Sequence, residues 1–176
     1  MKTIVDWFLG WWLRSGRYGW SKMRRWLCER KYVKQPLPEI TSLEDVKECL
    51  KQIKWHQEGI LHLYDSISYP QTVWAKKIDD CDGFAVLAAE LLYRLNPGYR
   101  PVMITSIVMP IARSHTVCAF DSLQGSLWFF DNAKLKRDGY KDYAEIAAKI
   151  GQRGDRRICW DVRNHFTFEK IEFNRF

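Results

Sequence analysis

Three residues whose side chains can do nucleophilic chemistry together stand in order along the chain: Cys81, His115 and Asp131. Cys81 lies in the segment Ile78-Asp-Asp-Cys-Asp-Gly-Phe84, directly after Asp80 and ahead of an apolar run that stops at Asn96-Pro-Gly98. Asp80 is a good N-cap, so the pattern predicts a helix from Cys81 to about Leu95, apolar nearly all round and therefore buried. A thiol in the first helical turn sits at the positive end of the helix, beside backbone N–H groups that have no partner within it. Both effects lower its pKa and raise the reactive thiolate fraction. Asp79, Asp80 and Asp82 disfavour the anion, so a nearby imidazolium is needed to offset them.

His115 supplies an imidazole at the start of Ser114-His-Thr-Val-Cys-Ala-Phe120, and Asp131 ends Trp128-Phe-Phe-Asp131. Between them, Ser122-Leu-Gln-Gly125 has the composition of a hairpin turn. If the two strands pair about residue 123, His115 and Asp131 lie opposite each other with side chains on one face. A histidine backed by a carboxylate is the base–orienter pair that fixes the ring tautomer and stabilises the imidazolium.

The motif Asp80-Cys81-Asp82-Gly83-Phe84-Ala85, a histidine opening a strand and an aspartate after the hairpin resemble the transglutaminase-like superfamily. The resemblance is closest to bacterial transglutaminase-like cysteine peptidases. The Cys…His…Asp order and the spacings of 34 and 16 residues are similar too, and the likeness covers about residues 64–133 and the helix before them. It implies a papain/transglutaminase-like α+β fold, with a buried catalytic helix packed on an antiparallel sheet. It also implies acyl transfer through a thioester: Cys81 attacks an amide or ester carbonyl of a protein or peptide substrate, His115 takes and returns the proton, and Asp131 orients His115. No cofactor and no metal are implied. Asp80 stands where the family often has Gly or another small residue, and Gly83 where it commonly has an acidic or neutral one. For the oxyanion donor, Gln71 and Trp74 lie at a suitable distance upstream. The alternative is a non-catalytic protein of the same fold, structural or docking, in a larger assembly such as a phage particle.

The elements that must position these residues follow from periodicity and caps. Thr41-Ser-Leu-Glu44 has the form of a capping box and predicts a helix that continues to residues 55–63. Residues 65–70 read as a loop, and 72–78 fit either helix or strand. Strands are expected at 101–109, His115–Asp121, 126–131, 158–161 and 167–173, with a helix at 142–150 ended by Gly151. Helices first and a mostly antiparallel sheet afterwards make an α+β domain.

Charge divides the chain differently. Residues 1–34 carry nine Lys or Arg against Asp6 and Glu29, a net of +7 that equals the net charge of the whole chain, so residues 35–176 are neutral. Trp7, Trp11, Trp12, Trp20 and Trp26 also fall in this segment, and Lys34-Gln-Pro-Leu-Pro38 reads as an extended linker after it. The expected division is a basic, Trp-rich amphipathic helical segment, 1–34, and a transglutaminase-like domain, 35–176. The segment can lie on a membrane surface, dock in the groove of a partner protein, or pack on its own domain. Nucleic acid is disfavoured as a partner, because no base-reading motif accompanies the basic residues.

Five widely spaced cysteines suit neither a disulfide framework nor a zinc site and favour a reducing compartment. Cys28, Cys49, Cys118 and Cys159 read as packing residues, and His56, His62 and His165 as surface or structural ones. Asp6 and Arg14 interrupt the apolar stretch near the start and no small-residue cleavage site follows, so no signal peptide is expected. No transmembrane helix is expected either. The expected location is cytoplasmic or virion-associated.

Overall fold

The computed structural model describes residues 2–56 and 66–176. Their elements are helices, a two-stranded parallel pair and a six-stranded antiparallel sheet of order β6-β5-β4-β3-β7-β8. The strands are β3 (Val102–Met109), β4 (His115–Asp121), β5 (Leu127–Asp131), β6 (Lys134–Tyr140), β7 (Arg156–Asn164) and β8 (Lys170–Arg175). Helix α5 (Cys81–Leu95) packs on one face against β4, and α6 (Tyr143–Gly151) on the other against β3 and β4. Strand alternation sends Met103, Cys118, Phe120 and Phe130 towards α5, and Val102, Ile104, Val117 and Phe129 towards α6.

Residues Phe84 to Leu92 of α5 are all buried, because α3 (Leu43–Lys51) and α4 (Pro70–Lys76) cover the side that the sheet leaves open. Asp80 caps α5 by accepting from the Asp82 N–H at 3.0 Å. The close approach at Gly83 is specific: a Cβ there would collide with the Asp79 side chain, which accepts from the Asp80 N–H at 3.0 Å.

The helix predicted to continue to residues 55–63 ends at Lys51, and residues 57–65, with His62, lie outside the described ones. Ile53 turns into the core, and Lys54 and Trp55 form β1 (Lys54–Trp55), pairing in parallel with β2 (Ile78–Asp79). Ser42 rather than Thr41 is the cap, and the reciprocal acceptor is Asp45, whose carboxylate takes the Thr41 N–H at 2.9 Å. Part of residues 72–78 is helical, in α4. Strand β6 has no apolar alternation to announce it; it is a charged edge strand, formed because Asn132 takes a left-handed φ of 52° in the tight turn after β5.

Residues 2–32 run as a nearly continuous helix: α1 (Lys2–Trp11), a π-helical turn Trp12–Gly16, α2 (Arg17–Arg24), a second π turn Arg25–Glu29, and a 3-10 turn Arg30–Tyr32. Leu9, Leu13, Arg17, Ser21, Arg25 and Glu29 are buried at every fourth position. An α-helix repeats every 3.6 residues, and the wider π turns keep that four-residue stripe on one side. Leu9, Leu13 and Tyr18 share the core with α5. The polar members are satisfied by the rest of the chain. Arg25 donates to the carbonyl of Ile67 at 2.9 Å, Glu29 accepts from the Tyr69 N–H at 2.8 Å, and the Tyr18 hydroxyl donates to Asp161 at 3.1 Å. Among the described residues, no helix is long and apolar enough to cross a membrane.

Candidate active site

Cys81 and His115 line one cleft of about 330 Å³ together with Asp80, Trp55, Asn132 and Arg153. Cys81 is 7% exposed and His115 5%, so both reach the cleft from a largely buried position. Each gets there for a local reason. Cys81 is the first helical residue after the Asp80 cap, and His115 is the first residue of β4, where the chain leaves the 3-10 turn Ile111–Arg113.

The His115 ring bonds Asp131 through Nε2, at 2.8 Å from Oδ1. The pairing is diagonal rather than directly across, which corrects the register centred on residue 123. Cys118 faces Phe130 and Ala119 faces Phe129, so the turn centres one residue later; continued, that register sets Asp131 across from Val117. The turn takes the extra residue because Leu123 and Gly125 both adopt left-handed φ, 64° and 82°. Alternation still puts His115 and Asp131 on one face, and a diagonal pair is within reach of an imidazole.

Asp131 has a second cationic partner. Arg153, from the loop after α6, donates to Oδ2 at 2.6 Å. Burial alone would raise the Asp131 pKa, but His115 and Arg153 outweigh it and hold the carboxyl at about 2. Asp131 is therefore a carboxylate at any ordinary pH and keeps the His115 Nε2 proton on that nitrogen.

On its inner side Cys81 borders a second cavity, of about 30 Å³, walled by Leu9, Trp12 and Arg17 of the N-terminal helices and by Thr105 and Thr116 of the sheet. Arg17 donates to Asp82, the residue after Cys81, and to Thr105 Oγ1 at 3.3 Å. This guanidinium offsets the Asp82 carboxylate, one of the two whose oxygens lie within 4.8 Å of the thiol. The acid cluster thus meets a cation from the N-terminal helices as well as the imidazole of His115.

Gln71 and Trp74 line neither cavity. Both lie in α4, where Trp74 packs against the core and the Lys77 ammonium lies over its ring. The indole that borders the cleft is Trp55, carried there by the β1–β2 pairing beside Asp79. Trp55, Asn132, Arg153 and Arg17 are the site residues that sequence patterns did not mark. Asn132 alone carried a signal, as a turn residue directly after Asp131. Its Oδ1 is buried with no hydrogen-bond partner in the fold.

Among the described residues, Asp80, Cys81 and Asp82 form the one cluster of metal-ligating types, with ligand atoms within 4.8 Å of one another. The fold already uses two of the three: Asp80 caps α5 and Asp82 takes Arg17. The other thiols are packing residues or lie outside the site. Burial raises Cys118 far above the usual thiol range, and burial together with Asp161 raises Cys159 to about 12. Cys49 is buried in the core, whereas Cys28, expected to be a packing residue, is exposed on the N-terminal helices. His56 is exposed, and His165 is buried with Nδ1 3.0 Å from the Pro101 carbonyl. No family model matches the chain, and no curated protein is significantly similar to it.

Proposed function

We propose that this chain is a thiol-dependent acyl-transfer enzyme, a peptidase, amidase or transglutaminase-like acyltransferase with a papain/transglutaminase-like fold. The observation that carries the reading is the 2.8 Å bond from His115 Nε2 to Asp131, on a ring that shares its cleft with Cys81. With Nε2 engaged by the carboxylate, Nδ1 is the nitrogen that exchanges a proton with the Cys81 sulfur.

In the first half-reaction Sγ bonds to the carbonyl carbon of an amide or ester, and its proton passes to His115 Nδ1. The tetrahedral oxyanion collapses, the C–N or C–O bond breaks, and the leaving amine or alcohol takes that proton. In the second, water or an amine attacks the thioester with His115 as base, and the Cys81 thiol is restored. Two donors suit the oxyanion. One is the Cys81 backbone N–H, at the positive end of α5. The other is the indole N–H of Trp55, in place of Gln71 or Trp74. The Asn132 amide, which also lines the cleft, suits binding of a peptide-like substrate.

Alkylation of Cys81 by iodoacetamide against pH tests the reading, in a Cys28→Ser background because Cys28 is exposed. A reactive thiolate should give a labelling midpoint well below the ordinary value of about 8.5, and His115→Ala should move it upward. A midpoint at the ordinary value that ignores His115→Ala would instead favour a structural or docking protein.

A further inference from the structure

The N-terminal helices carry large apolar side chains on their outer face too. Trp7, Leu27 and Trp26 are 61%, 61% and 58% exposed, and Trp11, Trp20 and Met23 are 45%, 40% and 46% exposed. Trp7, Trp11, Met23 and Leu27 keep the same four-residue spacing as the buried stripe, two positions offset from it, and Trp7 and Trp11 border Phe173 and Arg175 of β8 at one edge. Side chains of this kind in water are a cost that the fold itself leaves uncovered.

The charges on this face have one sign. Arg14, Lys22, Arg30 and Lys31 are exposed beside the apolar stripe. Both acidic residues of the segment are spent within the fold. Asp6 accepts from both terminal nitrogens of Arg156, at 2.6 and 2.9 Å. Glu29 is 1% exposed and accepts from Arg24 at 2.9 Å, from the Tyr69 N–H and from Thr72. The complementary surface is therefore anionic and apolar beneath its charge.

We propose that this face docks on an anionic lipid surface, with Trp7, Trp11, Met23 and Leu27 entering the headgroup–acyl boundary while the flanking cations meet lipid phosphates. Indole rings favour that boundary because it is apolar at one end and wet at the other. A nucleic acid would meet the cations and stack on indoles, but would leave Met23 and Leu27 in water. Lipid binding does not depend on Cys81 being reactive.

Flotation of the full chain with vesicles tests this. Vesicles of phosphatidylcholine mixed with phosphatidylglycerol should carry the protein, phosphatidylcholine alone should carry little, and added salt should release it. The doubles Trp7→Gln/Trp11→Gln and Lys22→Glu/Arg30→Glu should each weaken binding by about tenfold or more. These side chains are exposed, and an unchanged circular dichroism melt shows the fold intact. The idea is overturned if phosphatidylglycerol vesicles do not carry the intact protein, or if both variants float like the parent. Binding to a single-stranded oligonucleotide that outcompetes the vesicles would replace it with nucleic-acid binding. A stable dimer in sedimentation that the tryptophan double abolishes would replace it with self-association.

Discussion

Arg17 donates to the buried carboxylate of Asp82 across 65 positions of sequence, and by doing so places a guanidinium next to Cys81. The pair is nearly dry, with side-chain exposures of 7% and 2%. Removing one partner of such a pair leaves a buried charge uncompensated. Arg17→Met is expected to lower stability by about 3–5 kcal/mol in urea unfolding, and Arg17→Met/Asp82→Asn to recover part of it.

Asp131 is held at about 2 by His115 and Arg153, against burial. Its folded pKa lies below its unfolded value, so its contribution is complete above pH 3.8 and disappears as pH falls through about 2. With some exposure remaining, that contribution is about 1–2 kcal/mol, visible as a shallower acid limb in unfolding of Asp131→Asn. The same variant loses the carboxylate that orients His115. Hydrolysis of a small activated ester should slow by about 10²-fold or more, with little change in KM.

His165 gives a separate pH signature, away from the site. Burial is the main cause that lowers its pKa from 6.5 to about 4, so the folded state holds it neutral, able to donate Nδ1–H to the Pro101 carbonyl. The unfolded chain binds this proton more readily between those values. Stability is therefore full above pH 6.5 and declines as pH falls through about 4, by about 2–3 kcal/mol in all. His165→Asn can keep the donor and cannot protonate, so its unfolding free energy should lack this part of the pH dependence across that window.

Trp55→Phe keeps an aromatic wall on the cleft and deletes the indole N–H. If that N–H serves the oxyanion, kcat for an activated ester should fall by about 10²-fold with alkylation of Cys81 unchanged. Trp74→Phe, in α4 and away from the cleft, should leave kcat where it was.

Gly83→Ala places a methyl group against the Asp79 carboxylate, at the turn that presents Cys81. Destabilisation of about 1–3 kcal/mol is expected in thermal or urea unfolding. The Asp79→Ala/Gly83→Ala double, which clears the collision, should be less unstable than the sum of the single changes.

Much of this arrangement is local and could be read before any coordinates. Asp80 as cap, Cys81 as first helical residue and the stop at Asn96 depend on neighbours within a turn or two, and α5 follows them residue for residue. His115 and Asp131 sit at the ends of strands that a short turn joins, so their shared face was legible from period-2 alternation. Their register was legible only to within a residue, because left-handed φ at Leu123 and Gly125 lengthens the turn. No rule of composition places a left-handed leucine there.

The rest depends on contacts between elements far apart in sequence. Arg17, Arg25 and Glu29 look like solvated charges in a basic segment, yet they are buried because distant carbonyls, hydroxyls and a carboxylate meet them. Trp55 reaches the cleft through a two-residue parallel pairing too short to leave a pattern, and Arg153 reaches Asp131 only because α6 packs back on the sheet. Periodicity and capping act over a few residues and are written in the local chain. The guanidinium at Cys81 and the second partner of Asp131, Arg153, are long-range pairings, and only the packed sheet and helices bring those groups together.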